Sequence, residues 1–384
     1  VSGTAARWLA LDVFRALAVL WMIQGHTFTA MLDLRLYVGA WVQPYSLLHG
    51  LTAPMFLIGA GVSYGVVMFG GSADASAIGA RSRRIVVRSL RLLAIGTVLQ
   101  LPRTSLYEVI MRRDLWTASL QPGALQLVAA GLLSAEGLRV LSRTRAGFAA
   151  SAAGLTAVLA FVAPWVWNAR SSQSAALGSW LDGQAGSQFP LVPWLCFFFV
   201  GAALSAAWGS RLWLRGARVA RGVMPVIGIV ALACSAACYG LFLSGVRLTS
   251  LYGEHSFWYS NPLFVVFRIG LALAWLGALS ASATWISRAF AALPRFAAVI
   301  RALAKHSLIA YVAHLVLLYG TPFNPGLAHG GAHFGFPAAA AAFVCVLALT
   351  IASVLAWDRW HAAGGLRALF NVSRAAREPD APRS

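Results

Sequence analysis

The chain has 384 residues, of which 59% are apolar and only 11% charged, against roughly 25% charged in an ordinary soluble domain. Thirty basic residues against eleven acidic ones leave a net charge of +19, and Lys305 is the single Lys among the thirty. Such apolarity excludes an intrinsically disordered chain and sets aside a nucleic-acid binder, whose charge lies on a polar surface; it reads as a polytopic membrane protein with its positive charge in the loops.

Runs of about 20 apolar residues, enough to cross a bilayer, occur at about 9–30, 46–69, 85–101, 121–138, 147–168, 189–208, 222–244, 262–282, 306–320 and 336–357. The third and ninth are the shortest. The expected fold class is therefore all-α, a polytopic membrane protein with about ten transmembrane helices. One transmembrane domain spans 1–360, and a polar cytoplasmic tail follows over 361–384. The first run contains Asp12, Arg15 and His26, which the core of a cleavable signal peptide would not tolerate, so it reads as a membrane helix. The stretch 285–305 sets Arg288, Pro294, Arg295, Arg301 and Lys305 among apolar residues and reads as an interfacial amphipathic segment.

Charge tests the helix count. With the N-terminus placed in the cytoplasm and the spans alternating, cytoplasmic segments hold twenty of the thirty basic residues. The opposite side holds six: Arg35, Arg103, Arg112, Arg113, Arg170 and Arg247. Four lie within spans: Arg15, Arg88, Arg91 and Arg268. This asymmetry predicts that both termini are cytoplasmic. No internal repeat is visible, whereas a transporter built of inverted halves should show one.

Cys196, Cys234, Cys238 and Cys345 all lie in apolar runs and read as small buried hydrophobes rather than as metal ligands. No metal is expected.

Ionisable side chains inside a membrane are costly and point to function. Asp12 and Arg15 share a face of the first helix and can pair. His26 follows Arg15 by about three turns on that same face, ~16 Å further along the axis. His49 opens the second apolar run on the side where His26 lies, so the two histidines form a candidate site for proton transfer. Each also has a plainer reading, Asp12 and Arg15 as a packing pair and the histidines as interfacial polar residues.

Arg81, Arg84, Arg88 and Arg91 follow i, i+3, i+7, i+10, a stripe that suits a polyphosphate ligand or simply lipid headgroups. Ser307, Tyr311 and His314 make a polar seam at i, i+4, i+7 in the ninth run, either for packing or for a site. Arg268, two turns into the eighth, needs an anionic partner; Glu254, His255 and Asp182 are nearby candidates. Trp116, Trp180, Trp258 and Tyr259 in the outer loops could stack on sugars or mark the membrane interface.

The opening "RWLALDVFRALAVLWMIQGH" resembles integral-membrane acyltransferases. In acyltransferase family 3 the first helix carries a basic residue, ten intervening residues and a His, a spacing that Arg15 and His26 match, with Ala16 where the pattern shows Gly. "HGLTAPMFLIGAGVSYG", "QPGALQLVAAGLL", "FPLVPWLCFFFVGAAL" and "HSLIAYVAHLVLLYG" are similar to bacterial relatives of heparan-alpha-glucosaminide N-acetyltransferase.

The resemblance implies transfer of an acyl group, most simply acetyl, from acyl-CoA to a sugar hydroxyl or amine on or across the membrane, with a catalytic His. The family 3 pattern points to His26, and the position of the reactive His in the glucosaminide enzyme favours His49. On this expectation Arg84, Arg88 and Arg91 meet the phosphates of acetyl-CoA entering from the cytoplasm, and Arg15 lies beside the pantetheine arm. Asp12, Arg268, Tyr311 and His314 would line the substrate cavity. The expected partners are a glycan or glycoside acceptor and membrane lipids, with no nucleic acid, a homodimer being one open arrangement. The expected location is a bacterial inner membrane. The competing class is a transporter or flippase for a glycan or lipid-linked substrate, in which the intramembrane Arg and His would contact cargo or relay protons.

Overall fold

The computed structural model describes residues 8–70, 74–101, 108, 111–112, 115, 119–169, 175–183, 187–214, 217–321, 324–330 and 334–363. Helix α1 (Leu9–Met31) leads through a 3-10 turn at Leu34–Leu36 into α2 (Val42–His49) and α3 (Thr52–Phe69). Then come α4 (Ala75–Leu99), α5 (Ala124–Ser142), α6 (Arg145–Asn168), the short α7 (Ala175–Leu181), α8 (Leu191–Leu214) and α9 (Ala217–Leu243). The last part holds α10 (Thr249–Tyr252), α11 (Pro262–Ala281), α12 (Ala283–Ala292), α13 (Pro294–Lys305), α14 (Ser307–Tyr319) and α15 (Phe336–Ala362). A two-residue hairpin, Gly320–Thr321 against Asn324–Pro325, lies between α14 and α15.

Among the described residues, eight helices are long and apolar enough to cross a membrane, α2 and α3 counting as one; α13 and α14, bent by 87° at His306, would add a ninth. The tenth long helix, α4, carries five arginines along its length and falls outside that set. The chain is thus an all-α, multi-pass membrane protein.

Local chemistry moves several boundaries. The third helix starts at Ala75, ten residues before the apolar run, because Asp74 caps it: the Asp74 carboxylate accepts the Ala77 backbone N–H at 3.3 Å. The whole arginine stripe is therefore helical. The second run divides, since α2 ends at His49 and the chain turns through Gly50 before α3 begins at Thr52. The stretch expected to lie at the interface divides at Leu293, because Pro294 opens α13 and disfavours helical backbone just before it. Both pieces are amphipathic, with Trp285 and Phe296 exposed and Ile286, Phe290 and Ala297 buried.

The cysteine reading holds for Cys196, which is buried, but fails for Cys234 and Cys345, which are exposed, and Cys238 is half-buried. They lie on α9 and α15, whose outward faces are themselves apolar, so an apolar run does not imply an inward-facing side chain. The polar tail lies outside the described residues from 364 onward, as do Arg103, Arg113, Trp116 and Arg170.

Helix α1 is the hub, packed on α3, α11, α13, α14 and α15. Two buried clusters meet along it. Phe14 and Ala18 join Met55 and Ile58 of α3 and Phe197 and Phe198 of α8. Ala16, Val19 and Ile23 join Ala310 and Leu318 of α14 and Val346 of α15. The two sets differ by two residues in phase, so helical periodicity sends them to different sides of α1.

In lipid, helices associate through close van der Waals packing of small residues rather than through burial from water. Helices α3 and α8 show this. A Cβ on Gly61 would stand 2.0 Å from the Phe198 carbonyl oxygen, and one on Gly201 would stand 2.2 Å from that of Ile58. Outward faces, such as Ile229 and Val230 on α9 and Val344 and Leu349 on α15, leave large apolar side chains exposed to the bilayer.

Candidate active site

Helices α1 and α3 run antiparallel, and two glycines set their approach. A Cβ on Gly25 would fall 1.6 Å from His49 Nε2, and one on Gly59 would fall 3.1 Å from Arg15 Cγ. Ten residues separate the two contacts along α1, and ten separate them from the end of α2 into α3, so the glycines are in register. At one end His49 lies against the bare backbone of α1; at the other the Arg15 stem lies against the bare backbone of α3. The stacked Tyr45 ring, 5.8 Å away at an interplanar angle of 10°, holds His49 from the preceding turn. Gln24 Nε2 donates to Tyr45 Oη at 3.5 Å, tying that ring to α1.

Helix α14 lies along α1 in the same direction and carries the second polar seam. Arg15 Nη2 donates to Ser307 Oγ at 3.2 Å. Two turns on, the Tyr311 and His314 rings meet edge to face at 5.6 Å. His314, fully buried, lies with its Nε2 2.8 Å from His26 Nδ1. At its other nitrogen, Nδ1 donates to the Ala310 carbonyl one turn earlier at 2.8 Å.

A carbonyl can only accept, so His314 carries its proton on Nδ1 and, when neutral, offers a lone pair at Nε2. His26 must then donate from Nδ1, which leaves its Nε2 unprotonated. The hydrogen-bond network thus assigns the tautomers of both rings and makes His26 Nε2 a base or nucleophile held in a fixed orientation. Tyr319 Oη donates to the backbone carbonyl of His26 at 3.4 Å and closes the group.

At the Arg15 end, a cavity of about 220 Å³ lies between α1, α3, α4, α5 and α14. Four guanidinium groups border it, those of Arg15, Arg81, Arg84 and Arg88, with the hydroxyls of Ser63 and Ser307. Arg91, expected to share this role, does not border the cavity, although the next residue, Leu92, does: the side of α4 that carries Arg91 faces elsewhere. Glu136, reached from the cavity wall through Tyr64, is engaged: Arg139 pairs with it at 3.1 Å, Tyr64 Oη donates to it at 2.9 Å, and Ser82 Oγ donates to its other oxygen. Asp12 is buried in the first turn of α1, three residues before Arg15.

A second cavity, of about 380 Å³, lies at the opposite end beside α2, one residue past His49. Gly50, Trp258, Phe264 and Arg268 border it. Tyr259, which also borders this cavity, stacks on Trp167 at 5.8 Å, and Trp180 Nε1 donates to the Leu120 carbonyl at 2.8 Å.

The structure thus brings His26, His49 and His314 to one place, with Tyr311 beside them. It groups Arg15, Arg84 and Arg88 at one end and sets Arg268 at the other. Asp12, at the Arg15 end, is not in one cavity with Arg268. Sequence reading missed Gly25, Gly59 and Tyr45. The Tyr45 contact had a signal, since Tyr45 and His49 are spaced i, i+4 and fall on one helix face.

A family model described as heparan-alpha-glucosaminide N-acetyltransferase, catalytic, matches residues 7–239. The matched stretch includes Arg15, His26, His49 and the α4 arginines; Arg268, Tyr311 and His314 lie beyond it. No curated protein sequence matches the chain.

Proposed function

Because the chain belongs to the family of heparan-alpha-glucosaminide N-acetyltransferase catalytic domains, we propose that this membrane acetyltransferase takes an acetyl group from acetyl-CoA at the arginine-lined end and passes it to a sugar amine or hydroxyl at the histidine end. The observation that carries the reading is the hydrogen-bonded line from the Ala310 carbonyl through His314 to His26, which leaves His26 Nε2 as the reactive atom.

In this mechanism Arg81, Arg84 and Arg88 bind the donor's phosphates, and Arg15 guides the pantetheine arm toward α14. The arm then follows the seam between α1 and α14, ~16 Å from Arg15 to His26. His26 Nε2 removes the proton from the acceptor amine or hydroxyl as that group attacks the thioester carbonyl. The C–N or C–O bond forms, the C–S bond breaks, and the thiolate leaves and takes up the proton. If His26 instead attacks first, an acetyl-imidazole forms and the acceptor then displaces the imidazole. His49 faces the same acceptor end and assists in positioning. The charge asymmetry of the loops supports both termini and the arginine-lined cavity facing the cytoplasm of a bacterial inner membrane.

The test is transfer of radiolabelled acetyl from acetyl-CoA to glucosamine by the protein in liposomes. We expect His26→Ala to lower the rate by about 10²–10⁴-fold, the usual worth of a positioned base. Full activity in that variant would remove His26 from the centre. Rapid quenching before acceptor is added distinguishes the two routes, since only the second leaves acetyl on the protein.

A further inference from the structure

The cavity beside α2 contains a positive charge with no counter-charge. Arg268 sits two turns into α11, and among the described residues it makes no ion pair or hydrogen bond. Its expected partners are engaged elsewhere or out of contact. His255 donates from Nδ1 to the Gly253 carbonyl and accepts from Asn261 Nδ2, while Glu254 and Asp182 do not reach the guanidinium.

The guanidinium is instead framed by aromatic rings, its central carbon 4.1 Å from the Phe264 centroid and 5.5 Å from that of Trp194. Its Nη2 reaches toward α2, 3.2 Å from where a Cβ on Gly50 would stand, and the missing side chain keeps that approach open. Snorkelling does not account for this, because a side chain seeking water does not stay among rings two turns inside a helix. A half-buried cation with no counter-charge inside a membrane protein points to a ligand site. The remaining border suits a sugar: Trp258 and Tyr259 bring aromatic rings, and Ser46 and Gln43, whose Nε2 also donates to Tyr239 Oη at 3.2 Å, bring hydrogen-bonding groups. The cavity volume of about 380 Å³ lies within the roughly 300–1,000 Å³ of small-molecule sites.

We infer that this cavity binds the acceptor through a negatively charged substituent on the sugar, a sulfate, phosphate or carboxylate, held by Arg268. The inference rests on the acetyltransferase reading for what happens next, but not for binding itself. The planar fork of Arg268 meets two oxygens of the anion, the rings lie against the sugar's apolar face, and His49 directly precedes Gly50, which borders the cavity. Arg268 thereby selects among acceptors that all present the same amine or hydroxyl.

The test is equilibrium binding, followed by tryptophan fluorescence in neutral phosphatidylcholine nanodiscs, of glucosamine, glucosamine 6-sulfate and glucosamine 6-phosphate. We expect the two anionic sugars to bind about tenfold or more tightly than glucosamine. Arg268→Gln should bring them to its level, and Arg268→Lys should keep part of the preference, which a variant that had simply misfolded would not do. Equal binding of all three sugars by the wild type, or a preference that survives Arg268→Gln, overturns the inference. So does loss of sugar binding when phosphatidylglycerol replaces phosphatidylcholine in the wild type alone, which would assign the site to a lipid phosphate. Acetyl transfer is scored separately. Arg268-dependent binding without transfer refutes the enzyme reading and leaves this site standing; transfer without charge preference does the reverse.

Discussion

His26 and His314 lie 288 residues apart in the chain and share one hydrogen bond of 2.8 Å, whose direction is set by the Ala310 carbonyl on the far side of His314. The outer nitrogen of His26 on one helix is thus oriented by a backbone atom of another. In the proposed reaction His314 acts through His26, as a positioning residue.

Replacing His314 should therefore slow turnover without emptying the donor cavity. For His314→Ala we expect kcat to fall about 10- to 100-fold, the usual effect of losing a residue that orients a reactive His, with KM for acetyl-CoA little changed. His314→Gln can still accept from His26 Nδ1 and should recover part of the loss. A merely structural role predicts instead that both variants fall together with their melting temperature, so steady-state kinetics and thermal melting are measured side by side.

Gly25 predicts a second outcome. Because an added Cβ would overlap the His49 ring, Gly25→Ala forces His49 away, and overpacking of this kind costs about 1–3 kcal/mol. His49→Gly opens the same space. In a double-mutant cycle, Gly25→Ala should cost clearly less stability in the His49→Gly background than alone. Additive costs would mean that the two residues do not touch.

The arginine-lined cavity predicts a division along α4. Arg84→Ala and Arg88→Ala, with Arg15→Ala, should each raise the KM for acetyl-CoA about tenfold or more, as expected for one charge-assisted hydrogen bond, and the effect should shrink at high salt. Arg91→Ala should raise it much less, because that side chain is turned away. An equal effect from Arg91 would return the stripe to a general attraction for anions.

The cap on α4 gives a pH dependence. Hydrogen bonds from the Ser76 hydroxyl and from the Ala77 backbone N–H hold the Asp74 carboxyl below the usual carboxylate range. A folded-state pKa below the unfolded one stabilises the fold above the unfolded value, and that support is lost as pH falls through the lowered one. Hydrogen exchange at Ala77 and Ile78, corrected for intrinsic rates, should show the first turn of α4 protected at neutral pH and fraying in acid. Asp74→Ala should fray at neutral pH as well. Unchanged protection across the range would remove the capping role.

Most helices were legible because hydropathy runs report where a chain can enter lipid. The misplaced start of α4 shows the limit: hydropathy stops at the first arginines, whereas the helix obeys its cap at Asp74. Exposure on α9 and α15 shows another. In a membrane both faces of a helix are apolar, so Cys234 and Cys345 carry no sign of which way they face. In the candidate site, the faces holding Arg15 with His26, and Ser307 with Tyr311 and His314, could be read from periodicity along single helices. Their meeting could not, since it depends on packing between segments at opposite ends of the chain. The isolation of Arg268 was likewise hidden, because a sequence shows neighbouring carboxylates but not whether they reach.

The sharp bend at His306 is pinned from outside: Asp358 of α15 accepts from Lys305 Nζ at 2.8 Å and from His306 Nε2 at 2.7 Å. Because the polypeptide turns there by 87°, only the thirteen residues of α14 stand along α1. That is a rise of ~20 Å where the hydrocarbon of an ordinary bilayer is about 30 Å deep. On the proposed route, the donor's arm would have the length of this short helix to cover rather than the full thickness of the lipid.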